Sequence, residues 1–384
     1  MTLPKKVAEL LAQMVAFDTV NAHYAGRPSG EAQLAIHLEQ LAAAWGLRTR
    51  RYPVDAAGFN LLVYHEPVPG GDWLLCESHL DTVGVAGMTV APFVATARDG
   101  RIYGRGTCDT KGSGAAMLWA LRQQAQAGAA ARNSGVLFSI DEEAGMTGAA
   151  VFARDVLPHW PGRLGGIIVG EPTGLQPVVA HNGVVRWTTV THGVAAHSAD
   201  PTRGRSAISA MLHVVTALES NYVPTATRTH PLTGRAAASV NVIRGGTQVN
   251  IIPERCEIEV DRRLVPGETA AAALADRDRV LAELRAAHPE IVLENVAPPY
   301  AVPALAAGAN LALQARLAPM LARLGIDPTA RGVPYVTNGS HYAAAGAPVI
   351  VLGPGDIAQA HTRDEWLEDR QLQTAVAVYA GAMG

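Results

Sequence analysis

Cysteine is scarce in this chain. Cys76, Cys108 and Cys256 are the only three among 384 residues, and no two show C-x-x-C spacing. An odd, scattered set excludes a disulfide framework, and a reducing cytoplasm is the expected compartment. Neither sign of charge dominates: 31 basic side chains face 34 acidic ones, for a net charge of −3. No basic run occurs and no stretch interleaves basic with aromatic residues, so a nucleic-acid partner is not expected. Lys5 and Lys6 are followed by Glu9 and Gln13, which breaks any secretory core. No apolar run is long enough to cross a bilayer, so no membrane role is expected.

Hydrophobic residues make up 48% of the chain, and the length allows two domains with a large core. Val7, Leu10, Leu11, Met14 and Val15 recur at helical spacing and predict an amphipathic first helix. Leu34, Ile36, Leu38 and Leu41 predict a second helix, closed at Trp45-Gly46. Short apolar runs at 61–64, 73–76, 136–140 and 165–169 have the length of buried strands, and 114–124 is alanine-rich and helical. Strands alternating with helices predict an α/β sandwich around a mainly parallel sheet. From about Val184 the runs 187–191, 239–243 and 256–260 alternate apolar with polar residues, with one helical stretch over 206–218 and another after Pro266-Gly267-Glu268 through Ala282. This pattern predicts an inserted α+β domain, ferredoxin-like, over 183–295, with the catalytic domain formed by 1–182 and 296–384.

The chemistry-bearing residues fall just after the apolar runs, where open α/β folds place their sites. His79 lies in Ser78-His79-Leu80-Asp81, Asp109 in the glycine-rich 104–112, Glu142 and Glu143 in Asp141-Glu142-Glu143, Glu171 in Gly170-Glu171-Pro172-Thr173, and His361 after Gly353-Pro354-Gly355. Each segment alone is unremarkable in composition. The glycine-rich stretch lacks the Lys-Ser/Thr ending of a phosphate loop, which sets a nucleotide reading aside. It is the coincidence of five candidate ligands, His79, Asp109, Glu143, Glu171 and His361, at strand ends of one domain that points to a metal site. Imidazole and carboxylate donors without thiolate suit an open, catalytic zinc centre. Such a centre lowers the pKa of water to about 7 and polarises a carbonyl, which amide hydrolysis at neutral pH requires.

Taken in order, these segments resemble the zinc aminoacylase/carboxypeptidase family, which includes acetylornithine deacetylase, succinyl-diaminopimelate desuccinylase and the glutamate carboxypeptidases. The resemblance covers nearly the whole chain. Gly170-Glu171-Pro172-Thr173 with Leu175-Gln176-Pro177-Val178, and Leu352-Gly353-Pro354-Gly355 with Gln359-Ala360-His361 and Asp364-Glu365, most resemble the acetylornithine deacetylase branch. The family pattern implies two divalent ions, zinc first, with cobalt or manganese as alternatives. His79 and Glu171 would hold one, Glu143 and His361 the other, and Asp109 would bridge them, with a cis Asp109-Thr110 peptide. Glu142 would be the general base and Asp81 the carboxylate orienting His79.

Gly193-Val194-Ala195-Ala196-His197-Ser198 resembles the family's dimerisation-domain motif. The resemblance implies a homodimer in which His197 reaches the partner's active site and donates to the oxyanion. Arg263 matches an arginine that grips a substrate carboxylate, and Asn250 is a further substrate contact. Asn182 and Asn338 depart from the pattern, standing where relatives carry lysine and aspartate, and they bear on the identity of the acyl group and amino acid. The expected activity is hydrolysis of small N-acyl amino acids such as N-acetylornithine, a step of arginine biosynthesis. The alternatives are an exopeptidase of the same family and, in a different class, a non-catalytic binding protein on the same scaffold.

Overall fold

Short apolar runs bounded by turns become neighbouring strands because pairing satisfies their backbone while burying both faces. In the computed structural model, which describes residues 2–55, 58–128, 132–297 and 299–384, the chain divides into two units. The first comprises Met1–Val179, Ala307–Arg331 and Thr337–Gly384; the second comprises Ala180–Ala306 and Gly332–Val336.

Among the described residues, a sheet of eight strands runs in the order Arg48–Pro53, Phe59–His65, Asn133–Ser139, Trp73–His79, Leu164–Val169, Val349–Val351, Val178–His181 and Arg331–Val333. The four strands from Asn133–Ser139 to Val349–Val351 are mutually parallel. On one flank, Phe59–His65 pairs antiparallel with both Arg48–Pro53 and Asn133–Ser139. On the other, Val178–His181 runs antiparallel to Val349–Val351. The sheet is therefore mixed, which corrects the expectation of a mainly parallel one. Connection length is the reason on the first flank. Only residues 54–58 join the first two strands, and a parallel crossover needs about a dozen residues or more, so a hairpin forms instead.

Helix Val7–Val15 buries the five apolar residues that its spacing singles out. Helix Lys111–Ala127 packs on the central strands and against Val7–Val15 and Asp369–Met383. Its first eleven residues are all buried, Lys111 and Ser113 among them, so every face of this helix is enclosed where it enters the core. The three cysteines are free and buried. Among the described residues, no helix is long and apolar enough to cross a membrane.

The second unit follows a βαββαβ path. Strands Gly183–His192, Ala237–Gly245, Arg255–Leu264 and Val292–Asn295 alternate with helices Ala207–Asn221 and Ala270–Ala287. Taken in chain order as 1 to 4, the strands lie 2-3-1-4 across an antiparallel sheet, the ferredoxin-like arrangement. Val185, Trp187, Ile258 and Val260 of the sheet form one core with Met211, Val214 and Leu218 of the first helix and Leu281 of the second. The period-two burial of Arg255–Leu264 records this: every second side chain meets the helices. Tyr300–Val302 also pairs with Gly183–His192, which carries this unit to Ala306.

Leu75 sits fully buried in the strand flanked by parallel partners on both sides. Leu75→Ala is expected to cost about 2–5 kcal/mol of stability, read as a lowered midpoint in denaturant unfolding. An unchanged midpoint would show that this strand does not carry the packed core.

Candidate metal centre

Parallel strands that lie side by side end on the same edge of the sheet, and that edge collects the ligand candidates. His79 is the last residue of Trp73–His79, and Glu142 and Glu143 follow Asn133–Ser139. Glu171 follows Leu164–Val169, and His361 comes after Val349–Val351. Asp109 precedes helix Lys111–Ala127. The Asp109–Thr110 peptide is cis. All of these residues belong to the first unit.

The two oxygens of Asp109 face different imidazoles. Oδ1 lies 3.1 Å from His79 Nε2, and Oδ2 lies 3.2 Å from His361 Nε2. Glu171 Oε1 is 3.9 Å from His79 Nε2 on one side, and Glu143 Oε2 is 3.1 Å from His361 Nε2 on the other. Ligand atoms of His79, Asp109 and Glu143 all fall within 4.8 Å of one another. His79 is buried, whereas the His361 side chain is 56% exposed, so the cluster opens to solvent on the His361 side. His361 holds a left-handed backbone with φ 58°, a conformation that is uncommon for a non-glycine residue and concentrates at functional positions.

Asp81 organises the edge from beneath. Its Oδ1 accepts from the Glu142 N–H and its Oδ2 from the Glu143 N–H, both at 3.0 Å. His79 Nδ1 lies 3.0 Å from the Asp81 carbonyl and 3.4 Å from its carboxylate. Nδ1 is engaged there, which leaves Nε2 facing Asp109 and Glu171, the ring nitrogen a metal ion would use.

The electrostatics describe a cluster short of positive charge. Burial, and after it the charge of Glu171, push Glu142 well above the usual carboxylate range. Burial and then Asp109 raise Glu171 in the same way, and raise Glu143 to about 7. Burial would lift Asp109 too, but hydrogen bonds from His361 and His79 hold it below its ordinary value. His361 is raised to about 10 by Asp109 and Glu143. Burial opposes charging of His79, yet Asp109 and Asp81 prevail and raise it as well. Glu143 Oε1 is buried and, among the described residues, has no hydrogen-bond partner. Carboxylates crowded out of water, an orphaned oxygen and two inward-facing imidazole nitrogens fit divalent cations taking nitrogen and oxygen ligands.

Three residues near this cluster carried no assigned role in the sequence. Asn21 donates its amide to Asp81 Oδ2 at 2.8 Å and to Asp141 Oδ1 at 2.9 Å. The Tyr24 hydroxyl donates to the Glu143 carbonyl. The Glu365 carboxylate accepts from the backbone of Cys108 and Asp109. No local motif marks Asn21 or Tyr24; Glu365 lies close enough to His361 for spacing to have flagged it. Asn338 donates to Glu77 Oε1 at 3.0 Å inside the first unit.

The remaining site candidates belong to the second unit. His197 is exposed, and its Nδ1 accepts from the Ala199 N–H at 3.1 Å. It pairs with Ile251 in a two-residue ladder, and the Asn250 carbonyl accepts from the Ser198 N–H, so His197 and Asn250 lie on neighbouring segments. Arg263 is apart from that ladder, in register with Val184 and Ala237, and its Nε donates to Asp261 Oδ1 at 2.7 Å.

Comparison with known proteins agrees with this architecture. Residues 75–384 match the model of peptidase family M20/M25/M40. An acetylornithine deacetylase of Proteus mirabilis (strain HI4320) is 32% identical over 376 residues, covering 94% of this chain and 91% of that protein. Another, of Edwardsiella ictaluri (strain 93-146), is 30% identical over 373 residues, covering 95% and 93%. An M20 family metallo-carboxypeptidase from Sulfolobus solfataricus shares the fold with a TM-score of 0.79 at 14% identity, over 99% of both chains. A tripeptidase from Staphylococcus aureus does so with a TM-score of 0.77 at 19% identity, over 99% of this chain and 97% of that one.

Asn21 is 3% exposed and is the amide between two carboxylates. Asn21→Ala is expected to lower stability by about 1–3 kcal/mol, because Asp81 and Asp141 lose a buried donor. Denaturant unfolding measures this, and a wild-type midpoint would mean that the bridging amide contributes nothing.

Proposed function

The chain belongs to peptidase family M20/M25/M40, and from that premise we propose that it removes the acyl group from small N-acylated amino acids, N-acetylornithine foremost. That it is a metal-dependent amidohydrolase follows from its family and its relatives; the substrate and the residue roles are our reading. One observation carries the roles: the Asp109 carboxylate addresses His79 with one oxygen and His361 with the other. In this reading Asp109 would be shared by two cations, with His79 and Glu171 completing one ligand set and Glu143 and His361 the other. Zinc suits these donors, as do cobalt and manganese. Once bound, the cations would acidify water and polarise the amide carbonyl.

The protein's own groups do the rest. Glu142 is held by its backbone N–H to Asp81, next to Glu143 in sequence. In this reading it takes a proton from the attacking water and hands it to the amine nitrogen as the C–N bond breaks. His197 already uses Nδ1 as an acceptor, so its Nε2 carries the proton in the neutral ring and can donate to a developing oxyanion. We assign it that role across a homodimer. Asp261 occupies only the Nε of Arg263, and the terminal nitrogens suit a bidentate grip on a substrate carboxylate. Asn250, on the segment beside His197, supplies a further polar contact. The named activity of the relatives supports the deacetylase assignment over an exopeptidase.

Three measurements test this reading. With zinc- or cobalt-loaded protein, N-acetylornithine is expected to be hydrolysed faster than N-succinyl-diaminopimelate or a dipeptide; preference for the dipeptide would overturn the substrate but leave the site intact. Glu142→Gln is expected to keep its metal content while kcat falls by about 100- to 10,000-fold, and retained turnover would show that another group is the base. Chelation is expected to lower the melting temperature, and a divalent cation at a thousandfold excess over its Kd should restore about 4 kcal/mol. A melting temperature indifferent to chelator and cation would contradict metal binding at the cluster.

A further inference from the structure

The sharpest unassigned feature is a single buried carboxylate that ties two ligand-bearing loops together. Glu365 stands four residues after His361 and is 0% exposed. Both its oxygens are doubly engaged among the described residues. Oε1 accepts from the Cys108 N–H at 2.7 Å and the Asp109 N–H at 2.9 Å. Oε2 accepts from the Gly106 N–H at 2.9 Å and Arg105 Nη1 at 2.8 Å. The Glu365 carbonyl accepts from the Gly104 N–H, and Arg105 Nη2 reaches back to the Thr362 carbonyl.

The glycine-rich segment 104–109 is thus wrapped around one carboxylate belonging to the His361 loop. Its glycines serve that wrapping. Gly106 has φ 82°, and a Cβ there would come within 2.9 Å of Thr82 Cγ2 and 3.0 Å of Lys111 Cδ. Arg105, 3% exposed, pairs the charge of Glu365, so the anchor adds little net negative charge beside an already acidic cluster.

We propose that Glu365 is the positioning residue of the dinuclear site: by binding the Asp109 N–H it fixes the distance between Asp109 and His361, and with it the spacing of the two cations. It touches no substrate and acts through Asp109. The inference rests on Asp109 being the bridge. A carboxylate suits the task because each of its two oxygens can accept two hydrogen bonds, and four donors converge on it here. Glutamine keeps the length but sets an NH2 against N–H donors and leaves Arg105 unpaired in a buried setting. Aspartate keeps the charge but is one methylene short of reaching both donor pairs.

The test titrates metal-free wild type, Glu365→Gln and Glu365→Asp with zinc and with cobalt, after circular dichroism and a cooperative melt have established folding. Calorimetry gives stoichiometry and affinity, and the visible cobalt spectrum reports ligand geometry. Wild type is expected to bind two cations per chain. Glu365→Gln is expected to bind one within about threefold of wild-type affinity and the second about 10- to 100-fold more weakly, with an altered cobalt spectrum. Glu365→Asp is expected to fall between, keeping the test informative if the glutamine variant folds poorly. Two cations bound by both variants with wild-type affinity and spectrum would overturn the positioning role while leaving the bridge intact. Failure of wild type itself to bind a pair would instead overturn the bridging role of Asp109.

Discussion

Asp109, Glu142, Glu143 and Glu171 are gathered where water cannot screen them, and that crowding governs the first unit. Burial first, and neighbouring carboxylate charge after it, raises the proton affinity of Glu142, Glu143 and Glu171. A fold holds such groups together by keeping some of them protonated or by placing positive charge among them. The imidazoles of His79 and His361 provide part of this, drawn toward the charged form by the carboxylates around them. On our reading cations provide the rest, and the cluster is a metal centre before it is anything else. The sheet makes the gathering possible, because adjacent parallel strands bring His79, Glu142, Glu143 and Glu171 to a single edge, where the start of helix Lys111–Ala127 places Asp109.

Geometry at that edge is held by hydrogen bonds to backbone rather than by side chains packed on one another. Asp81 gathers the N–H groups of Glu142 and Glu143, and Asn21 supports Asp81 from the N-terminal segment. Glu365 gathers the N–H groups of 106, 108 and 109. Two buried carboxylates therefore each clamp one loop of the cluster, and each accepts from a side-chain donor, the neutral amide of Asn21 or the charged guanidinium of Arg105. A ligand fixed through its own backbone loses little conformational freedom on meeting its target, the general benefit of preorganisation.

Much of this was legible in the residues. The spacing of Val7 to Val15 announced the first helix, and the alternation in 256–260 announced a half-buried strand. The same change of period marked the first three strands and two helices of the second unit, but not its last strand, Val292–Asn295. The parallel sheet was overestimated, because apolar runs at 61–64 and 73–76 look alike in composition. What separates them is pairing: the strand containing 61–64 is antiparallel to its neighbours, whereas that containing 73–76 lies between parallel partners. Periodicity reports how deeply a strand is buried and is silent on the direction of its partners.

The sequence by itself determined that imidazole and carboxylate side chains follow the apolar runs at 73–76, 136–140 and 165–169. It determined the period of each strand and helix, since side-chain direction follows from local geometry. Only the tertiary structure decided that the two Asp109 oxygens face different histidines, that Asn21 bridges Asp81 and Asp141, and that Glu365 reaches back across some 260 residues to seize the loop before Asp109. Those contacts join segments distant along the chain, and a hydrogen bond between distant segments leaves no periodic trace in either of them.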